Sequence, residues 1–164
     1  MSVNVLFVCL GNICRSPTAH AVFQHLVETR GFSDAVRVDS AGTGDWHIGL
    51  PPDTRASASA ALRGYDLTPL RARQVEPGDF RAFDYILAMD AQNLRNLRAL
   101  LPADFGGELR LFMHYATGVD EREVPDPYYG GENDFDRVLD LVENAAQGLL
   151  DTLVVRHGLR AQSR

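Results

Sequence analysis

Cys9 and Arg15 lie six positions apart in "VNVLFVCLGNICRSPTAHAVF", and Ser16 and Pro17 follow at once. The apolar run Val3–Val8 reads as a buried strand that ends on the cysteine. Ser16 is a good helix N-cap and Pro17 fits the first helical position, so a helix should begin there. Strand, loop and helix start would then turn successive backbone N–H groups and a helix dipole toward one point, which attracts an oxyanion such as phosphate. The same groups, with Arg15, favour a charged sulfur on Cys9. The planar fork of Arg15 suits two phosphate oxygens, Ser16 can donate its hydroxyl proton to the sulfur, and Gly11 permits the dihedrals of a tight loop. Leu10, Gly11, Asn12, Ile13, Cys14 and Arg15 would form the phosphate cradle. The pattern Cys-x5-Arg-Ser thus suits nucleophilic phosphoryl transfer through a thiophosphate.

Cleaving a phosphate ester also requires a proton for the departing oxygen. The stretch "VPDPYYGG" offers Asp126, held extended by the proline after it, and Tyr128 and Tyr129 can wall an aromatic pocket. Each feature has a plainer reading. Cys9 could be a small buried packing residue. Asp126 could belong to an ordinary Asp-Pro turn. Cys9, Cys14, His20 and His25 could hold zinc, although their spacing is irregular and Arg15 would sit beside the metal.

The elements around these residues must put them at one place. A chain of 164 residues with 45% hydrophobic residues suits one domain with a full core. A net charge of -6 argues against nucleic acid or an anionic membrane as the main partner. All 16 basic residues are arginine, so any anion site is built from guanidinium or backbone N–H groups. Two cysteines make no disulfide framework and suit a reducing compartment. The start "MSVNVLFV" has neither a basic n-region nor a long apolar run, which points to a cytoplasmic protein without a membrane span. Val3–Val8, Val36–Ser40, Tyr85–Met89 and Leu109–Met113 read as strands. Helices are expected from the Ser16 cap to Gly31, over Asp53–Gly64, over Asp90–Leu101 and over Asn133–Val155. The expectation is one α/β domain over residues 1–157, a three-layer sandwich with a central four-stranded parallel sheet and helices on both faces. Residues 158–164 read as a polar tail, frayed from His157 onward. In such sheets ligands bind at the carboxyl ends of strands, where Cys9 falls.

With these residues in place, the chain resembles the low-molecular-weight protein tyrosine phosphatase family. The likeness runs through "VCLGNICRSPTA", "DSAGTGDW", "RARQV", "FDYILAMD" and "DPYYGG", in family order over most of the chain. It implies Cys9 as nucleophile, Arg15 as phosphate clamp and Asp126 as general acid and then base, with no cofactor and no metal. It further implies that Asn12, Ser16 and Ser40 support the loop through hydrogen bonds, and that Leu10, Ile13, Trp46, Tyr128 and Tyr129 line the pocket. Leu70 stands where the family commonly has a histidine, so the network that histidine would join is altered. His47, beside Trp46, bears on substrate choice or is simply exposed. The implied substrates are phosphotyrosine-containing proteins or aryl phosphates, with inorganic phosphate as product, in a monomer or weak homodimer. Related readings on the same fold are a protein-arginine phosphatase, where threonine is typical at the Ile13 position, and a thiol-dependent arsenate reductase, whose relay needs three cysteines. A phosphate-binding module without catalysis is the non-enzymatic reading. Cys14 shares the loop with Cys9 and is expected to close a disulfide with it under peroxide, protecting the nucleophile.

Overall fold

The computed structural model describes residues 2–162. Strand β1 (Val3–Cys9) is apolar on both sides, and consecutive residues serve opposite faces. Val5 and Phe7 join one hydrophobic cluster, Leu6 and Val8 the other. A strand of this kind belongs in the middle of a parallel sheet covered on both faces. It pairs in parallel with β2 (Val36–Gly42) on one side and β3 (Tyr85–Ala88) on the other. The fourth strand, β4 (Glu108–Leu111), adds in parallel beyond β3, giving the order β2-β1-β3-β4.

Helices α1 (Arg15–Thr29) and α5 (Glu132–His157) pack together over the face that carries Val5, Phe7 and Leu87. Helix α2 (Thr54–Leu62) rests against α5. On the opposite face, Phe80 from α3 (Asp79–Ala82) and Leu97 from α4 (Ala91–Leu100) cover Leu6, Val8 and Ile86. The expected three-layer arrangement with a four-stranded parallel sheet is the one observed.

Several boundaries differ from the sequence expectation, each for a local reason. The last strand stops at Leu111, and Phe112–Tyr115 form a 3₁₀ turn instead. Phe112 and Met113 are consecutive yet both enter the same core cluster, which an alternating strand cannot arrange. β2 continues past Ser40 because Ala41 and Gly42 pair with Val8 and Cys9. Helix α1 begins at Arg15, with Cys14 at its cap, so Ser16 lies inside the first turn rather than capping it. The short α3, unforeseen in the sequence, is tied by Asp79, whose carboxylate accepts the Glu76 N–H and pairs with Arg73. Where it is described, the tail makes contacts with the domain. His157 is the last residue of α5 and its Nε2 meets the Tyr85 hydroxyl at 2.7 Å. Leu159 packs on the core, and Gln162 donates its backbone N–H to Gly31 O at 2.8 Å. Ser163 and Arg164, the end of that tail, lie outside the described residues.

Phe7 is fully buried directly before the site, with ring centroids 5.6 Å from Phe23 and 4.9 Å from Phe112. Phe7→Ala should therefore lower stability by about 3–5 kcal/mol in urea unfolding, and a loss under about 1 kcal/mol would mean the cavity refills.

Candidate active site

β1 delivers Cys9 to the carboxyl end of the sheet with only 3% of its surface exposed. The chain then turns through Asn12, whose φ of 55° is left-handed. That role had been expected of Gly11. Asparagine tolerates this conformation better than most residues, and here it is locked by three bonds. Its N–H points to Cys9 Sγ at 3.3 Å, its Nδ2 donates to Ser16 Oγ at 2.8 Å, and its Oδ1 accepts the Arg73 N–H at 3.0 Å. At Gly11 the consequence is spatial instead: a Cβ there would lie 2.8 Å from the His47 ring, which would have to shift. Gly42, paired with Cys9, leaves similar room for the Leu10 carbonyl, 2.7 Å from where its Cβ would be.

Ser16 explains its failure to cap α1. Its Oγ lies 3.0 Å from Cys9 Sγ and 3.3 Å from Ala41 O, so its single hydroxyl proton has two acceptors to serve, the sulfur and that carbonyl. When the sulfur is charged, the proton belongs on the sulfur side. Ser40 departs from the implied support. Its Oγ meets His20 Nδ1 at 3.0 Å, and the loop is held by Asn12, Ser16, Ala41 O and the Arg73 N–H. The histidine that meets Ser40 thus comes from α1, while Leu70 contributes its carbonyl to Arg71.

Arg15 is also 3% exposed. Its Nη1 donates to Asp90 Oδ2 at 2.6 Å and to Val124 O at 3.1 Å, while Nη2 stands 3.6 Å from Asp126 Oδ2. Burial by itself weakens a guanidinium's charge, but the Cys9 sulfur, Asp90 and Asp126 outweigh it and hold the pKa above that of ordinary arginine. Nη2, with only this longer contact, is the less tightly held of the two terminal nitrogens. Sequence reading missed Asp90 and Val124. Asp90 doubles as the N-cap of α4, its Oδ1 accepting the Asn93 N–H at 2.7 Å, and that ordinary role hid its partner. The signal visible in the sequence is its place directly after the apolar run Tyr85–Met89, at a strand's carboxyl end.

Asp126 stands between Pro125 and Pro127, its side chain about half exposed, with Oδ1 accepting the Tyr128 N–H at 3.1 Å. A cavity of about 330 Å³ lies above Cys9 and Arg15, bordered by Leu10, Ile13, Trp46, Asp126, Tyr128 and Tyr129. His47 reaches it as well, 6.5 Å from the Tyr128 ring. Trp46 is 68% exposed and Tyr129 96%, so both form a rim rather than core packing. A roomier hollow of about 780 Å³ runs along β4, but it holds no nucleophile beside an anion cradle.

Cys14 is buried in the loop, and its thiol is pushed up to about 12, by burial first and by Asp53 second. The zinc reading is not supported by the arrangement: His20 is bonded to Ser40, and His25 meets the Tyr65 ring at 5.4 Å. Among the described residues no group of three or more His, Cys, Asp or Glu side chains is placed to hold a metal ion.

Residues 4–158 match the low molecular weight phosphotyrosine protein phosphatase family. The chain belongs to this family. A putative low molecular weight protein-tyrosine-phosphatase of Synechocystis is 45% identical over 92% of this chain and 96% of its own. The crystal structure of a protein tyrosine phosphatase from Entamoeba histolytica, with Hepes in its active site, superposes with a TM-score of 0.91 at 39% identity, covering 96% of this chain and all of that one. A Drosophila arginine phosphatase structure superposes with a TM-score of 0.84 at 34% identity, covering 90% of this chain and 96% of its own.

Beside the backbone pairing of β2 with β1, His20 adds one side-chain contact to this strand, at Ser40. Burial, the leading cause, presses the His20 pKa below its ordinary 6.5, with Asp39 opposing and Arg73 assisting. The unfolded chain therefore takes up this proton before the folded one does, so stability is full above about pH 6.5 and falls as pH drops below it. Wild type should lose more urea resistance than His20→Gln between about pH 7.5 and pH 5, and parallel losses would show that His20 titrates normally.

Proposed function

We propose that this protein is a protein-tyrosine phosphatase that hydrolyses phosphotyrosine and small aryl phosphates through a cysteinyl-phosphate on Cys9. The observation that carries this reading is the stacking of Cys9 Sγ, Ser16 Oγ and the Arg15 guanidinium below a cavity edged by Asp126 and two tyrosines. A phosphate in the cradle places its phosphorus above Sγ, with Arg15 on its oxygens. The sulfur forms the S–P bond as the P–O(aryl) bond breaks, and Asp126 gives its proton to the departing oxygen. The carboxylate so formed takes a proton from water, and the hydroxide attacks phosphorus. The P–S bond then breaks, inorganic phosphate leaves, and Ser16 Oγ at 3.0 Å stabilises the returning thiolate.

The rim supports an aryl substrate, since Trp46, Tyr128 and Tyr129 offer flat faces to a phenyl ring. Ile13 in the cradle supports tyrosine over arginine, the activity borne by the Drosophila relative. Phosphotyrosine-bearing proteins are the proposed partners, met in the cytoplasm by a monomer or weak homodimer. Among the described residues no helix is long and apolar enough to cross a membrane.

Cys9→Ser should abolish turnover of p-nitrophenyl phosphate while vanadate binding persists, because the cradle and Arg15 remain. Activity within about tenfold of wild type would remove Cys9 from the nucleophile role. Asp126→Asn should depress kcat far more for phenyl phosphate than for p-nitrophenyl phosphate, whose leaving group departs with little protonation; equal losses would place the acid elsewhere. Phosphoarginine turned over faster than phosphotyrosine would select the arginine reading.

Cys14 fits a protective role. Peroxide would take Cys9 to a sulfenic acid, and Cys14 would then attack that sulfur and expel water, leaving a Cys9–Cys14 disulfide. A thiol pushed up to about 12 is protonated at neutral pH, so Cys14 itself is a poor target for peroxide and Cys9 is oxidised first. After peroxide, dithiothreitol should restore wild type more fully than Cys14→Ser, and equal recovery would end the proposal.

A further inference from the structure

Asp53 and Arg55 lie outside the phosphate cradle, yet they touch both loops that carry the chemistry. On one side, the Asp53 N–H donates to Ile13 O in the cradle at 2.8 Å. As the N-cap of α2, the Asp53 carboxylate accepts the Arg55 N–H at 2.8 Å and the Ala56 N–H at 3.3 Å. The same carboxylate takes the Arg55 guanidinium through Nε at 3.2 Å and Nη2 at 3.0 Å. On the other side, Arg55 Nη2 donates to Tyr128 O at 2.8 Å. The guanidinium also lies over two rings, its Cζ 5.6 Å from the Tyr128 centroid and 4.9 Å from that of Phe135, near the start of α5. Tyr128 is the residue whose N–H orients the Asp126 carboxyl.

We propose that Arg55 is a positioning residue for the general acid: anchored through Asp53 to the nucleophile loop, it fixes Tyr128 and thereby sets where Asp126 delivers its proton. This rests on the phosphatase reading above and deepens it. A cation held against two aromatic rings is restrained in position, and its fork on Asp53 restrains it in rotation. Tyr128 is therefore held by carbonyl and ring together. Asp126 is otherwise only loosely held, with half its side chain in solvent and 3.6 Å from Arg15. Displacing its carboxyl by an ångström would leave the thiolate attack intact and impair protonation of a poor leaving group.

The test compares two substrates that differ in their need for the acid. In Arg55→Ala, kcat for phenyl phosphate should fall about tenfold more than kcat for p-nitrophenyl phosphate, with inhibition by inorganic phosphate within about twofold of wild type. Arg55→Lys keeps a cation over the rings but loses the fork, and should show the same selective loss in weaker form. It carries the test if the alanine variant does not fold. Arg63→Ala is the control, since Arg63 joins α2 to α5 through Asp140 and Glu143 without touching the acid loop; it should keep the wild-type substrate ratio. Equal losses on both substrates, no loss, or the same selective loss in Arg63→Ala would each overturn the proposal. Failure of the phosphatase reading is separately visible. In that case wild type would not turn over p-nitrophenyl phosphate, or Asp126→Asn would lack the selective loss, whatever Arg55 does.

Discussion

A guanidinium buried at the end of a hydrophobic sheet is costly unless charge and hydrogen bonds surround it. Arg15 is in that position, and much of the architecture can be understood as what makes it tolerable. β3 ends where Asp90 can reach Nη1, the segment after β4 returns to place the Val124 carbonyl on the same nitrogen, and Asp126 sits just beyond. The Val124 N–H in turn donates to Met89 O at 2.8 Å, which sews this segment to the end of β3. Arg15 is thereby fixed through Nη1, while Nη2 keeps only the looser contact with Asp126. A lysine in its place would satisfy the charge but not the two-sided geometry.

The cradle depends on the same economy of contacts. Asn12 supplies the left-handed turn and three hydrogen bonds, and Ser16 gives up a capping role to serve the sulfur. Small residues at Gly11 and Gly42 let His47 and the Leu10 carbonyl approach the loop closely. Arg73 illustrates how far this support extends. Its backbone N–H holds Asn12, while its side chain bridges Asp39 on β2 and Asp79 on α3. The opposite layer of the sandwich thus helps to hold the loop.

What could be read from sequence divides along a physical line. The apolar run of β1, the cysteine at its end and the arginine six positions on are local in the chain, so spacing alone placed them together. The central strand and the long α5 were legible because their patterns are strong. Asp90 and Val124 were not, since their partner Arg15 is remote in sequence and each carries an innocuous local role. Gly11 was credited with the left-handed turn because glycine is the usual solution, whereas Asn12 adopts it here under three hydrogen bonds. The 3₁₀ turn at Phe112–Tyr115 was hidden because an apolar run does not reveal whether its residues must face one side or two. Ser40 was assigned to the loop by family likeness, and only the structure joins it to His20.

The contacts that complete the site span most of the chain. Arg15 meets Asp90 across 75 positions and Val124 across 109, and α5 closes over α1 only with the last helical segment. On the ribosome, synthesis proceeds from the amino terminus, so nucleophile and clamp emerge early and their partners late. A nascent chain ending short of Val124 holds Cys9 and Arg15 without the partners that fix Arg15 beside the sulfur. The order of translation therefore postpones phosphate chemistry until nearly the whole chain exists, because the groups that favour a charged sulfur on Cys9 are assembled only then.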